Sequence, residues 1–250
     1  MGKSGNRQVQ FKQFTVCDDG CAMKVGTDAL LLGAWCEVSQ AKSILDIGTG
    51  SGIVVLMLAQ RAENAQLVAV ELEQGAHEQS CENIKLSPFS HRVQSFNQSI
   101  QEFSVDQRWS SSFDVVVSNP PFFHDKPKSP DFARNLARHD DALPLHDLLD
   151  SALRCLKQHG KLMLIWPIDR REELFDEAAA QGLYVSRELT VQGSPSHEPT
   201  RFLSEWSTTP SQRVERETMC VESGNRENGS VKLSEEYVQL LNPYVRSLES

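Results

Sequence analysis

Four consecutive residues, Asn119-Pro120-Pro121-Phe122, follow directly on the apolar run Phe113 to Ser118. The two prolines stiffen the segment and fix the Asn119 side chain and the Pro120 carbonyl. Both groups present oxygen acceptors. Two such acceptors can hold a planar NH₂ group and turn its nitrogen lone pair toward a methyl donor. Phe122 offers a ring face on which a flat base can stack, worth on the order of 1–3 kcal/mol. A strand terminator with an N-capping Asn would explain the prolines. It would not explain the Asn and the aromatic flanking them at the carboxyl end of a central strand, where doubly wound sheets hold ligands.

A second set of residues lies upstream. Leu45-Asp46-Ile47-Gly48-Thr49-Gly50-Ser51-Gly52 closes one apolar run and opens a helical one. Glycine at alternate positions lets the backbone turn sharply and lie against a ligand without Cβ clashes. The spacing is GxGxG, and no GK[ST] follows, so this is not a P-loop. Glu71 ends the next apolar run, where a carboxylate can accept both ribose hydroxyls of an adenosine. NAD and S-adenosylmethionine both use this geometry. A dehydrogenase has no need of the Asn119 segment, which favours the second.

The elements that must position these residues alternate along the chain. Ser43–Ile47, Gln66–Glu71, Arg92–Phe96, Phe113–Ser118 and Lys161–Trp166 read as strands, and Tyr184–Val191 and Phe202–Ser207 as two more. Several are nearly continuous apolar runs, as strands buried on both faces require. Between them, Ile53–Arg61, Gln74–Lys85, Leu145–Gln158 and Arg170–Gln181 read as helices, with His159-Gly160 and Gly182 as stops. Alternation of this kind predicts an α/β fold of βαβ units with a mostly parallel sheet. Two stretches stand outside it. Residues 1–42 precede the first strand and contain a helix-like run, Thr27–Trp35. Residues 210–250 are polar, with a turn at residues 224–229 and a terminal helix over Glu235–Leu248, broken near Pro243. The chain thus reads as one domain: an N-terminal extension (1–42), a core (43–209) and a C-terminal extension (210–250).

Composition sets the outer bounds. The chain has 250 residues, 39% hydrophobic and 24% charged, enough to build a full core, so global disorder is excluded. The net charge of −9 rules out a strongly basic nucleic-acid coat protein, though not a nucleic-acid enzyme with a local basic patch. The longest apolar run, Ile53 to Ala59, falls well short of the roughly 20 residues of a membrane helix. The polar start shows no secretory signal. The six cysteines are scattered without a CxxC pair, which points to reduced thiols and no zinc site.

Asp46 to Gly52, Glu71 and Asn119 to Phe122 resemble motif I, the acidic loop and motif IV of class I S-adenosylmethionine-dependent methyltransferases that modify planar amino nitrogens. Phe11 to Trp35 narrows the resemblance, with Ala22-Met23-Lys24-Val25-Gly26-Thr27-Asp28 and Leu31-Leu32-Gly33-Ala34-Trp35. So do Cys81-Glu82-Asn83 with Ser87-Pro88-Phe89, Ala137-Arg138-His139 with Leu145 to Leu149, and Leu233-Ser234-Glu235-Glu236-Tyr237. Along almost its whole length the chain is similar to the bacterial tRNA1(Val) (adenine-37-N6)-methyltransferase family.

That resemblance implies a seven-stranded Rossmann-like domain, with Met23 to Trp35 beside the cofactor. Lys24, Thr27, Gly48, Gly50, Gly52, Glu71 and Asn119 would contact S-adenosylmethionine, and Asp46 would orient the loop or the methionine end. Asn119 and Pro120 would hold the N6 amino group, with Pro121 and Phe122 completing the base pocket. Ser99 stands where the family has an acidic residue near the cofactor adenine; it can still accept from the adenine amino group, without charge. The implied partner is the anticodon loop of a tRNA. The implied enzyme is a cytoplasmic monomer without metal or membrane. A protein-glutamine N5-methyltransferase and an rRNA guanine-N2 methyltransferase are the rival readings, since each uses an Asn-Pro-Pro-aromatic segment. A fold-retaining, catalytically idle binding protein is a third, which the intact segment argues against. Mildly basic stretches, Met1 to Lys24 and Asn119 to Asp140, flank the expected pocket, whereas Ala62 to Glu82 holds five Glu and no Lys or Arg.

Overall fold

Two short strands, β1 (Gln8–Gln10) and β2 (Thr15–Cys17), pair antiparallel ahead of helix α1 (Thr27–Trp35) in the computed structural model, which describes residues 7–120, 143–225 and 230–246. The alternating core follows: β3 (Ser43–Ile47), α2 (Ile53–Arg61), β4 (Gln66–Glu71), α3 (Gln74–Leu86), β5 (Val93–Asn97), α4 (Ile100–Val105) and β6 (Phe113–Ser118). After the undescribed stretch come α5 (Leu145–Cys155), β7 (Leu156–Pro167), α6 (Arg171–Ala180), β8 (Tyr184–Gln192) and β9 (Arg201–Ser207). The remainder forms β10 (Glu215–Cys220), β11 (Glu222–Asn225), β12 (Val231–Leu233) and α7 (Glu235–Leu241).

The central sheet has the order β10-β8-β9-β7-β6-β3-β4-β5. From β7 to β5 every pairing is parallel; β9 runs antiparallel between β7 and β8. The central strands β3, β4 and β6 are nearly continuous apolar runs because they are buried on both faces. Ile44, Val115, Val117, Met163 and Ile165 pack into the layer that holds α1, α2 and α7. Leu45, Ile47, Val116, Leu162 and Leu164 pack against α4, α5 and α6. Each such side chain contributes roughly 1.5–3 kcal/mol relative to exposure. β3 and β6 are neighbours, so the two motif-bearing strand ends lie side by side.

The structure departs from the sequence expectations in three places. The sheet has eight strands, not seven, because β10 joins β8 in parallel. Four of its six residues are exposed, and Met219 alone is buried, so it lacks the apolar run that marks interior strands. Helix α5 ends at Cys155, three residues early. Leu156 turns extended to pair with Phe113, and the β6–β7 register then jumps to Val115 with Lys161. His159 (φ +69°) and Gly160 lie within that irregularity rather than ending the helix. Helix α4, six residues started by a capping box between Ser99 and Glu102, stands where no helix was expected. Helix α7 ends at Leu241, just ahead of Pro243, where the expected break lies, and Leu248 lies outside the described residues.

Candidate active site

The glycine loop is built by β3 and β4 together. Beyond Ile47, the Gly48 and Thr49 amides donate to Val70 O at 2.9 and 3.2 Å. Gly48 and Gly50 adopt φ of +68° and +55°, which L side chains rarely tolerate. A Cβ placed on either would meet nothing within 4 Å, so the loop faces open space on that side. Gly52 caps α2 in the left-handed conformation.

Asp46 supports the loop from below. Its side chain is buried, and Oδ2 accepts from Thr49 Oγ1 at 2.6 Å. Burial pushes the carboxyl from 3.8 up to about 7; the Thr49 hydroxyl and the Val55 amide oppose that rise, and the charge of Glu71 adds to it. Of the two roles expected for Asp46, this arrangement serves orienting the loop. Glu71, half-buried at the end of β4, accepts from Gly50 N at 2.8 Å through Oε2 and from Glu73 N at 2.9 Å through Oε1. One carboxylate therefore holds both the loop and the turn into α3.

The other expected contacts have specific local tasks. Lys24 directs its ammonium at three carbonyls, Asp18 O (2.7 Å), Cys21 O (3.0 Å) and Asp19 O (3.3 Å), and so shapes the loop between β2 and α1. The carboxylate of Asp18 closes the same loop by accepting from Val25 N at 2.8 Å. Thr27 is the exposed first residue of α1. The Ser99 hydroxyl donates to Glu102 Oε2 at 2.9 Å and accepts from Glu102 N at 3.2 Å; its proton serves the helix cap.

Asn119 and Pro120 stand at the end of β6. Ser118 Oγ donates to Ile47 O at 2.9 Å, one residue before the glycine loop begins, which brings Asn119 beside that loop. The Asn119 Oδ1 atom is buried and has no hydrogen-bond partner among the described residues. A buried carbonyl oxygen left so is costly, by about 1–3 kcal/mol. Pro121 and Phe122 lie outside the described residues, as does nearly all of the basic stretch up to Asp140. On the N-terminal side the described basic groups have internal partners: Arg7 faces Asp18 and Val25 O, and Lys12 reaches Asn242.

Two residues quoted within the motifs, but given no role by the sequence, hold the site together. Thr49 fixes the Asp46 carboxylate three residues away. Asn83, on α3, bonds both Cys17 and Ser51. The sequence marked Asn83 through the Cys81-Glu82-Asn83 motif and as a polar amide inside an amphipathic helix, without showing its partners. Among the described residues there is no group of three or more His, Cys, Asp or Glu that could hold a metal ion, and no helix is long and apolar enough to cross a membrane.

Comparison with known proteins agrees with this geometry. The methyltransferase small domain family matches residues 21–174. A tRNA1(Val) (adenine(37)-N6)-methyltransferase of Parabacteroides distasonis is 46% identical over 82% of this chain and 85% of its own. Relatives of the same name from Tolumonas auensis (42%; 89% and 92% of the two chains) and Bacteroides thetaiotaomicron (39%; 96% and 98%) match over longer spans. Among solved structures, a predicted O-methyltransferase from Agrobacterium tumefaciens superposes with a TM-score of 0.65 at 20% identity, covering 89% of this chain and all of that one. P. horikoshii TYW2 in complex with MeSAdo superposes at 0.58 with 13% identity, over 84% and 74%. These two likenesses establish the Rossmann-like methyltransferase fold. The chain is a methyltransferase that belongs to the methyltransferase small domain family and to the tRNA1(Val) (adenine(37)-N6)-methyltransferases.

Proposed function

We propose that the chain methylates the N6 amino group of adenosine-37 in the anticodon loop of a valine tRNA, with S-adenosylmethionine as donor, as a cytoplasmic monomer. The observation that carries the chemistry is the buried Oδ1 of Asn119 beside the glycine loop, without a hydrogen-bond partner among the described residues. The choice of substrate rests on the relatives, which share 39–46% identity over most of the chain.

The residues present fit the donor. The open side of Gly48 and Gly50 leaves room for a ligand against bare backbone. Glu71 retains carboxylate lone pairs for the ribose hydroxyls, and the loop of Lys24, with Thr27 at the start of α1, forms the adjoining wall. Ser99 keeps one lone pair for the adenine amino group. When bound, S-adenosylmethionine supplies an electrophilic methyl carbon on a sulfonium.

Adenine N6 is a weak nucleophile because its lone pair is delocalised into the ring. Asn119 Oδ1 accepts one N6–H and the Pro120 carbonyl the other. Accepting both favours a more tetrahedral nitrogen with its lone pair directed away from the two oxygens, so no strong base is needed before attack. Pro121 and Phe122, which lie outside the described residues, are the residues assigned to the base pocket by the family resemblance. Holding the two reactants in line supplies on the order of 7–11 kcal/mol of the barrier. An anticodon-loop base is cheaper to turn outward than a paired one.

Incubation with radiolabelled S-adenosylmethionine and, separately, total tRNA, total rRNA and a release-factor protein tests the reading. Label recovered as N6-methyladenosine in tRNA is the expected result. Label only in protein, or only in rRNA, overturns it in favour of a rival.

A further inference from the structure

Asn83 lies within α3 and is 1% exposed. A primary amide offers one acceptor oxygen and two N–H donors, and the surrounding structure uses both kinds. Oδ1 accepts from Cys17 N at 3.0 Å. Nδ2 donates to Cys17 O at 2.7 Å and to Ser51 O at 2.8 Å. The partners lie 66 and 32 residues away. Cys17 is the last residue of β2 and leads into the loop that Lys24 and Asp18 organise. Ser51 immediately precedes Gly52, the cap of α2. One side chain therefore joins the segment that enters the site from the N-terminal side to the loop on which the cofactor would lie.

We infer that Asn83 is a positioning residue that fixes the segment 15–26 against the glycine loop, so that the two form a single wall of the cofactor site. The inference rests on the cofactor reading proposed above. Its physical basis is the cost of a half-made network. If either partner moves away, buried polar atoms on Asn83 and on the departing backbone are left without hydrogen bonds. Segment and loop then open together or not at all. Neighbouring contacts align with this role. Gly20 N donates to Gln79 Oε1 at 3.3 Å, and the backbone of Gly20 approaches Gly75 O so closely that a Cβ on Gly20 would stand 3.1 Å from it. The tip of the segment thus leans on α3 about one turn before Asn83, and α3 serves as the rail along which both walls are set.

Hydrogen exchange of the full chain, alone and saturated with S-adenosylhomocysteine, tests the inference. In the wild type, saturation slows exchange in both 15–26 and 48–52. In Asn83→Ala, saturation still protects 48–52, whereas 15–26 exchanges about tenfold faster than in the wild-type complex, and the dissociation constant rises about tenfold. Asn83→Ser keeps a hydroxyl able to make one of the bonds; it gives the same pattern with a smaller loss and serves if the alanine variant does not fold. A residue that merely stabilised the fold would leave both segments protected at saturation. Full protection of 15–26 in the saturated variant therefore overturns the inference. A wild-type chain that shows no protection in either segment overturns the cofactor reading itself, and this inference with it.

Discussion

The substitution Asp46→Asn isolates the cost of a buried carboxyl under the glycine loop. Burial raises its pKa from 3.8 to about 7, against the opposing bonds from Thr49 and Val55. The folded chain therefore binds this proton more tightly than the unfolded chain. Stability falls as pH rises from about 4 to about 7 and is level above that. At about 1.4 kcal/mol per pKa unit, the fold's tighter hold on this proton lowers stability by about 1.5 kcal/mol at pH 5, where the unfolded chain ionises first, and by roughly 4 kcal/mol at pH 8. Asparagine keeps an acceptor for the Thr49 hydroxyl and does not ionise. Any fixed penalty for the amide is the same at both pH values and cancels. Urea unfolding of wild type and variant at the two pH values gives the difference directly. Relative to wild type, the variant should be more stable at pH 8 than at pH 5 by about 2–3 kcal/mol. The same relative stability at both would mean that Asp46 ionises as freely in the fold as in the open chain, and the account of the loop's support would be wrong.

Other outcomes follow from the same structure. Asn119→Ala should lower turnover at least about 100-fold, the scale of a lost reaction-site hydrogen bond, while calorimetric binding of S-adenosylhomocysteine changes little; retained methylation would remove Asn119 from its assigned role. Glu71→Gln replaces one acceptor oxygen by a donor facing the Gly50 or Glu73 amide, and should weaken S-adenosylhomocysteine binding by about 1–3 kcal/mol in the same titration. Gly33→Ala would place a Cβ 2.8 Å from Met57 Sδ between α1 and α2; thermal melting should report a loss of about 1–3 kcal/mol. Because the described N-terminal basic groups, Arg7, Lys12 and Lys24, have internal partners, tRNA binding should engage few phosphates there. A plot of log affinity against log salt should have a slope near −2 to −3, and a slope of about −6 would refute that.

Much of the fold was legible where local rules decide. The ends of β3 and β6 follow from apolar runs stopped by Gly48 and Asn119, those of α2 and β4 from runs that close on Arg61 and Glu71, and α1 was legible from its apolar content alone. The glycine loop and Asn119 were legible because their chemistry is carried by neighbours in sequence. What escaped is what distant residues decide. β10 is held by backbone pairing with β8 and shows almost no apolar face. The early end of α5 depends on Leu156 reaching Phe113. The three carbonyls that Lys24 gathers around its ammonium depend on the path of the loop between β2 and α1, which the sequence does not show. The expected acceptor Ser99 carries the S-x-x-E pattern of a capping box, so the sequence already held the signal for its second task.

Tyr244 is wholly buried, and its hydroxyl donates to Gly33 O, 211 residues earlier in the chain. A ribosome delivers α1 long before it delivers the side chain that seats it. During synthesis, the helix that begins at Thr27 must wait with part of its apolar surface uncovered, and the wall it lends to the site is finished only once Tyr244 has emerged. A nascent chain halted before that point would hold the glycine loop and Asn119 but lack a settled α1. The capacity to bind should therefore arrive late and abruptly in translation rather than grow with each completed strand.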